Sequence, residues 1–156
     1  VGGGMSIVIA ATMPDCCEHV VSESAQAFLE PHTLDGIRAA KVQFENPANF
    51  AKLTRWHGEK AQWVLDGWTD TWMSPAFTDW TLDPYLGRVR CPTLVIHGDA
   101  DEFGSVEFPR RIARGVQGVS QLEIIDDCAH VPHREQPDRI LSLVANFLGA
   151  RVRGAI

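Results

Sequence analysis

Pro92-Thr93-Leu94-Val95-Ile96-His97-Gly98-Asp99-Ala100-Asp101 is the stretch on which the fold turns. After the proline, Thr93 to Ile96 form a continuous apolar or β-branched run, as in a parallel strand covered on both faces. The residues His97 to Asp101 follow the run directly. Gln121-Leu122-Glu123-Ile124-Ile125 is the next strand, and it leads to Cys128-Ala129-His130-Val131-Pro132. Between the strands, Ile112, Ala113 and Val116 fall at helical spacing over 106–117. After them Pro137 opens a helix, where its missing N–H costs nothing, with Ile140, Leu143, Val144, Phe147 and Leu148 on one stripe. Strand, helix, strand and helix in turn predict βαβ units and a parallel sheet.

Upstream, Gly2, Gly3 and Gly4 lead into residues 4–13, which include Met5-Ser6-Ile7-Val8-Ile9-Ala10-Ala11. A helix apolar on nearly every side is expected to be buried. Pro14-Asp15 ends it, and His19-Val20-Val21-Ser22 follows as a short strand. The character then changes. Trp56, Trp63, Trp68, Trp72 and Trp80, all five tryptophans of the chain, fall between 24 and 88. Leu34, Ile37, Arg38 and Lys41 set a helical rhythm, Pro47 starts a second segment, and Gly58 separates it from a third. This predicts a helical insert over 24–88 in a core made of 1–23 and 89–156.

At 156 residues, 45% hydrophobic and 22% charged, the chain has the size and composition of one ordinary globular domain. A net charge of −6 argues against a nucleic-acid partner or an anionic membrane, since counterion release needs a basic face. No apolar run approaches the ~20 residues needed to span a bilayer. No Lys or Arg precedes the first apolar stretch, so it does not read as a secretory signal. Cys16, Cys17, Cys91 and Cys128 show no metal-ligand spacing, and reduced thiols in a cytoplasmic protein are expected. No metal or cofactor is implied.

Functional groups of parallel sheets collect just past the C-terminal ends of the strands. Asp101 follows one strand and His130 the next, so adjacent strands would deliver a carboxylate and an imidazole to one edge. A buried carboxylate fixes the tautomer of such an imidazole and stabilises its protonated form. An imidazole titrating near neutrality can then act as a base toward a hydroxyl. Asp99 and Glu102 compete for the role of acid, and Glu23 beyond the first strand is a further rival; the spacing favours Asp101. His97 is expected to pack structurally and His133 to lie at the surface. Ser6 sits one turn into a helix and lacks the strained turn that exposes a nucleophilic hydroxyl. Cys128 is close enough in sequence to meet His130, but a buried cysteine is more often a small hydrophobe. Trp68, Trp72, Met73 and Phe77, with Trp80, are candidates to line an apolar substrate pocket, against the commoner role of such residues as core. Arg55, His57 and Lys60 are candidates for an anionic group of a substrate, against a solvated surface.

His97-Gly98-x-x-Asp101 resembles the acid loop of the α/β-hydrolase superfamily, and His130-Val131-Pro132-x-x-Glu135-x-Pro137 its histidine loop. Val1-Gly2-Gly3-Gly4 is similar to the end of that family's Gly-x-Ser-x-Gly-Gly elbow, with Val1 next after the nucleophile. The resemblance extends over the whole chain. It implies an α/β fold class: a partial doubly wound parallel sheet, the C-terminal part of an α/β-hydrolase fold, with residues 24–88 as a helical cap. It further implies a serine hydrolase acting on an ester, thioester or similar acyl bond of a small molecule, with the catalytic triad in the order Ser, Asp, His. Asp101 would be its acid, His130 its base and the backbone nitrogen of Val1 an oxyanion-hole donor. The strands ahead of the elbow and the serine itself have no counterpart here. The chain alone is therefore expected to be inactive, completed by an N-terminal companion segment or engaged in self-association. The competing expectation is a non-catalytic ligand-binding or interaction module derived from the same fold.

Overall fold

The structure, a computed structural model, describes residues 2–149. They group into two compact units: Leu29–Trp80, and residues 2–28 with 81–149.

The second unit is built on three parallel strands, β1 (Val20–Glu23), β2 (Thr93–Gly98) and β3 (Ser120–Ile125), in the order β1-β2-β3. Val20 pairs with Thr93, and Thr93 with Ser120. The central strand is buried along its whole length, as its unbroken apolar run requires. Leu94 and Ile96 point to one face, where Ile125, Cys128 and Ile140 join them. Leu143, Val144 and Phe147 of α7 (Pro137–Phe147) close that side. Strand alternation sends Val95 and His97 the other way. The helix α6 (Glu107–Gly115), with Phe108 and Ile112 fully buried, packs against β2 and β3.

Helix α1 (Gly2–Thr12) lies on β1. Gly3 is needed there: a Cβ on it would stand 2.4 Å from the carbonyl oxygen of Glu23. Ser22 Oγ also donates to the Gly3 carbonyl at 3.0 Å. The start of α1 is thereby held at the C-terminal end of β1. In this chain the helix is buried on one side only. Ile7, Ala10 and Ala11 are buried, but Met5 is 56% and Ile9 46% exposed, because α1 packs through one face, onto β1 and the short α5 (Asp83–Leu86).

The insert is narrower than 24–88. Ser24 N–H donates to the Ile96 carbonyl, Leu82 N–H donates to the Ala27 carbonyl at 2.8 Å, and Phe28 bridges Thr81 in antiparallel fashion. These backbone bonds fasten 24–28 and 81–88 to the sheet unit, whatever their composition. Within Leu29–Trp80 lie α2 (Pro31–Phe44), α3 (Pro47–His57) and α4 (Ala61–Met73). Prolines begin α2 and α3, and the Asn46 side chain caps α3 by accepting the Ala48 N–H at 2.9 Å. Gly58, at φ +55°, ends it. Ile37, Ala40, Leu65 and Trp72 are buried, while Trp56 and Trp63 are exposed. Among the described residues no helix is long and apolar enough to cross a membrane.

Candidate active site

The acid loop begins where β2 ends. Asp99 N–H donates to the Ile125 carbonyl of the neighbouring strand at 3.0 Å. Two residues on, the Asp101 side chain is fully buried, and its Oδ1 accepts the Phe103 N–H at 2.8 Å. That is an Asx turn, the local habit of aspartate in loops. The histidine loop leaves β3 through Asp126 and Asp127, the latter at φ +52°. Aspartate tolerates this left-handed conformation better than most residues.

The two loops are stitched together. Ala100 N–H donates to the Cys128 carbonyl at 2.9 Å, and Cys128 N–H donates to Asp99 Oδ1 at 3.4 Å. Gly98 makes the approach possible, since a Cβ there would lie 2.1 Å from the Cys128 carbonyl oxygen and 2.3 Å from that of Ala129. The result is that His130 Nδ1 lies 3.0 and 2.9 Å from the two oxygens of Asp101. An ionised carboxylate only accepts, so the imidazole donates from Nδ1 and keeps the Nε2 lone pair for another partner. The Phe103 ring meets the imidazole edge-on at 4.9 Å. This arrangement can hold an imidazole in one orientation and stabilise the positive charge it acquires on taking a proton.

The rival acids go elsewhere. Asp99 accepts the Cys128 amide, and Glu102 is exposed. Glu23 Oε1 accepts from His133, from its backbone N–H at 3.1 Å and from Nδ1 at 2.8 Å. His133 is exposed, as expected, but paired. His97 is buried at the strand end, with Nε2 3.0 Å from the Gly104 carbonyl oxygen. Burial, followed by the nearby Glu135 charge, pushes the Cys128 thiol up to about 11. At neutral pH it is protonated and a poor nucleophile. Ser6 Oγ is tied to the Gly3 carbonyl at 2.7 Å within α1. Val1, the expected oxyanion-hole donor, lies outside the described residues. In the insert, Trp72 is buried and meets Phe77 and Trp80 edge-on, while Trp68, Met73 and Phe77 are half-buried. The Arg55 guanidinium stacks over the exposed Trp56 ring.

Glu135, part of the histidine-loop motif, has a role that the motif alone does not assign. Its Oε2 accepts the Ala129 N–H at 2.8 Å and its Oε1 the Val131 N–H at 2.9 Å, so one carboxylate grips the backbone on both sides of His130. These bonds hold its carboxyl below the usual glutamate range. A carboxylate a few positions beyond loop amides that lack a ladder partner was the available signal. The Glu23–His133 pair spans 110 positions, and no local pattern announces it.

No protein-family model matches this chain. Several curated relatives share parts of it, and two show the extent of the match. One is a 2-hydroxy-6-oxononadienedioate/2-hydroxy-6-oxononatrienedioate hydrolase of Klebsiella pneumoniae, 38% identical over 65 residues, covering 42% of this chain and 22% of that protein. The other is the AB hydrolase superfamily protein YisY of Bacillus subtilis, 31% identical over 72 residues, covering 46% of this chain and 26% of that protein. Among solved structures, a serine hydrolase involved in carbazole degradation (CarC) superposes with a TM-score of 0.70 at 18% identity. That match covers 96% of this chain and 61% of CarC. The chain thus spans less than two thirds of the length of each of these relatives.

Proposed function

Because this chain belongs to the α/β-hydrolase superfamily, we propose that it carries the acid and base of a serine hydrolase acting on an ester, thioester or similar acyl bond of a small molecule. The observation that carries this reading is the double contact of His130 Nδ1 with the buried Asp101 carboxylate. A serine hydroxyl facing Nε2 would lose its proton to His130 as its oxygen attacks the acyl carbon. His130 would then return that proton to the leaving group, with Asp101 holding the ring throughout. The relatives named above are hydrolases, which supports the reaction class and leaves the acyl group open.

The serine belongs, on this reading, to an N-terminal companion segment ending next to Val1. Gly3 packed against the Glu23 carbonyl supports that position, since it holds the start of α1 at the end of β1. A nucleophile just ahead of α1 would sit at the sheet edge that holds His130. The Val1 nitrogen would serve as oxyanion donor and the helical insert as a cap, with Trp68, Trp72, Met73 and Phe77 toward an apolar part of the substrate. Four free thiols support a cytoplasmic location.

Fluorophosphonate labelling with peptide mapping tests the proposal. The 156-residue chain by itself is expected to stay unlabelled. With the segment encoded immediately ahead of Val1 supplied, one serine of that segment should react, and His130→Ala should abolish the reaction. Rapid labelling of Ser6 or another serine of the isolated chain would overturn this assignment.

A further inference from the structure

His97 is the last side chain of β2 before Gly98, and it is 1% exposed. Burying an imidazole costs free energy unless its polar atoms are engaged. Its Nε2 lies 3.0 Å from the Gly104 carbonyl oxygen and 3.4 Å from Asp101 Oδ2. Neither a carbonyl nor an ionised carboxylate has a proton to give. The hydrogen is therefore on Nε2, donated to the Gly104 carbonyl, with Asp101 Oδ2 close enough to draw on the same positive edge. The same carboxylate takes the Phe103 N–H on Oδ1 and His130 Nδ1 on both oxygens.

We propose that His97 is a positioning residue: its shared donor pins Asp101 Oδ2, so that the carboxylate keeps both oxygens turned to His130. The inference rests on the reading of Asp101 and His130 as acid and base. A carboxylate free to turn about its Cβ–Cγ bond would offer His130 one oxygen at a time, and the ring could tilt. The loop is built to keep His97 in place. Gly104, which supplies the other acceptor, lies so near the buried Phe108 ring that a Cβ on it would stand 2.4 Å from the ring carbons. The chain from 98 to 104 is thus closed over His97 at one end by Phe108. At the other end Gly98 admits the histidine loop at its carbonyl oxygens. An apolar side chain would fill the same space and leave Oδ2 with one donor fewer.

The test is the ring tautomer, read from two-bond ¹H–¹⁵N correlation spectra of the ¹⁵N-histidine-labelled chain. In the wild-type chain, His97 is expected to carry its hydrogen on Nε2 and His130 on Nδ1. His97→Met should raise the Nε2–H fraction of His130 about fivefold, the weight of one modest hydrogen bond. His97→Gln, whose amide N–H can replace the donor, should bring that fraction back to within about twofold of wild type on the same scale. Asp101→Asn is the control and should remove the Nδ1 preference altogether. Finding the His97 hydrogen on Nδ1 in the wild-type chain overturns the proposal, and this readout stands even if His97→Met does not fold. A folded His97→Met that leaves His130 unchanged while Asp101→Asn alters it overturns the role of His97 and leaves the acid–base reading intact. No effect of Asp101→Asn on His130 removes that reading, and the proposal with it.

Discussion

Asp101 carries a charge with its side chain wholly out of water, and the donors from Phe103 and His130 are what make that burial tolerable. Its negative charge is what holds the His130 hydrogen on Nδ1. An amide there could present its own N–H to the ring and favour the opposite tautomer. In the enzyme completed with its serine, Asp101→Asn should slow fluorophosphonate labelling roughly 10³–10⁴-fold, as expected when a triad acid is neutralised. A slowing of less than tenfold would show that His130 is oriented by something else. Cys128 gives a second expectation at this scale. With its thiol raised to about 11 by burial, it should be the last of the four cysteines to react with iodoacetamide at neutral pH, well after the exposed Cys16. Mass mapping along an alkylation time course checks this, and early modification of Cys128 would contradict it.

The elements matter here through their ends. Two adjacent parallel strands deliver two loops, and two features hold those loops in register: the missing side chain of Gly98 and the carboxylate of Glu135. Gly98→Ala would drive a methyl into the carbonyls of Cys128 and Ala129. It should destabilise the fold by about 1–3 kcal/mol, as overpacking does, and separate Asp101 from His130. Denaturant unfolding reads the first effect, and a neutral result would mean that the loops are not in contact as described. Glu135 makes the histidine loop sensitive to acid. Its folded value is depressed below the ordinary 4.5, first by the Ala129 amide and then by the Val131 amide. Its contribution is therefore complete above that ordinary value and is lost as pH falls through the folded value. Hydrogen-exchange protection of the Ala129 and Val131 amides should drop as the pH falls below the ordinary 4.5 and through the depressed folded value, and Glu135→Gln should remove this step. Protection that is independent of pH in the wild-type chain would rule it out.

At the scale of the whole molecule, β1 stands at the end of the strand order with β2 as its only partner among the described residues. An unpaired strand edge is a template for association. Met5 and Ile9 on α1 add apolar surface that water covers poorly. The isolated 156-residue chain is expected to self-associate at micromolar concentration, or to become monodisperse when an N-terminal companion segment is added. Sedimentation velocity decides between these outcomes and a stable, cooperative monomer, which would count against the companion segment.

The sequence by itself determined that Thr93–Ile96 and 121–125 are parallel strands, and that Asp101 and His130 follow them to one edge. Both conclusions depend on local signals: an unbroken apolar run after Pro92 for the first strand, and for the second a short apolar segment set between helical stretches. Helix starts at Pro47 and Pro137 were legible for the same reason, since proline fixes its own φ and forgoes a donor that a first turn does not use. Tertiary structure alone decided the rest. Whether α1 is buried on every side depends on what packs against it, and apolar composition cannot report that. The insert ends where Ser24 and Leu82 find carbonyl partners in distant segments, not where tryptophans become frequent. Asp101, Asp99 and Glu23 are the same kind of chemistry in one dimension. Only the stitching of two loops, which requires a backbone approach that Gly98 permits, hands His130 to the first, the Cys128 amide to the second and His133 to the third.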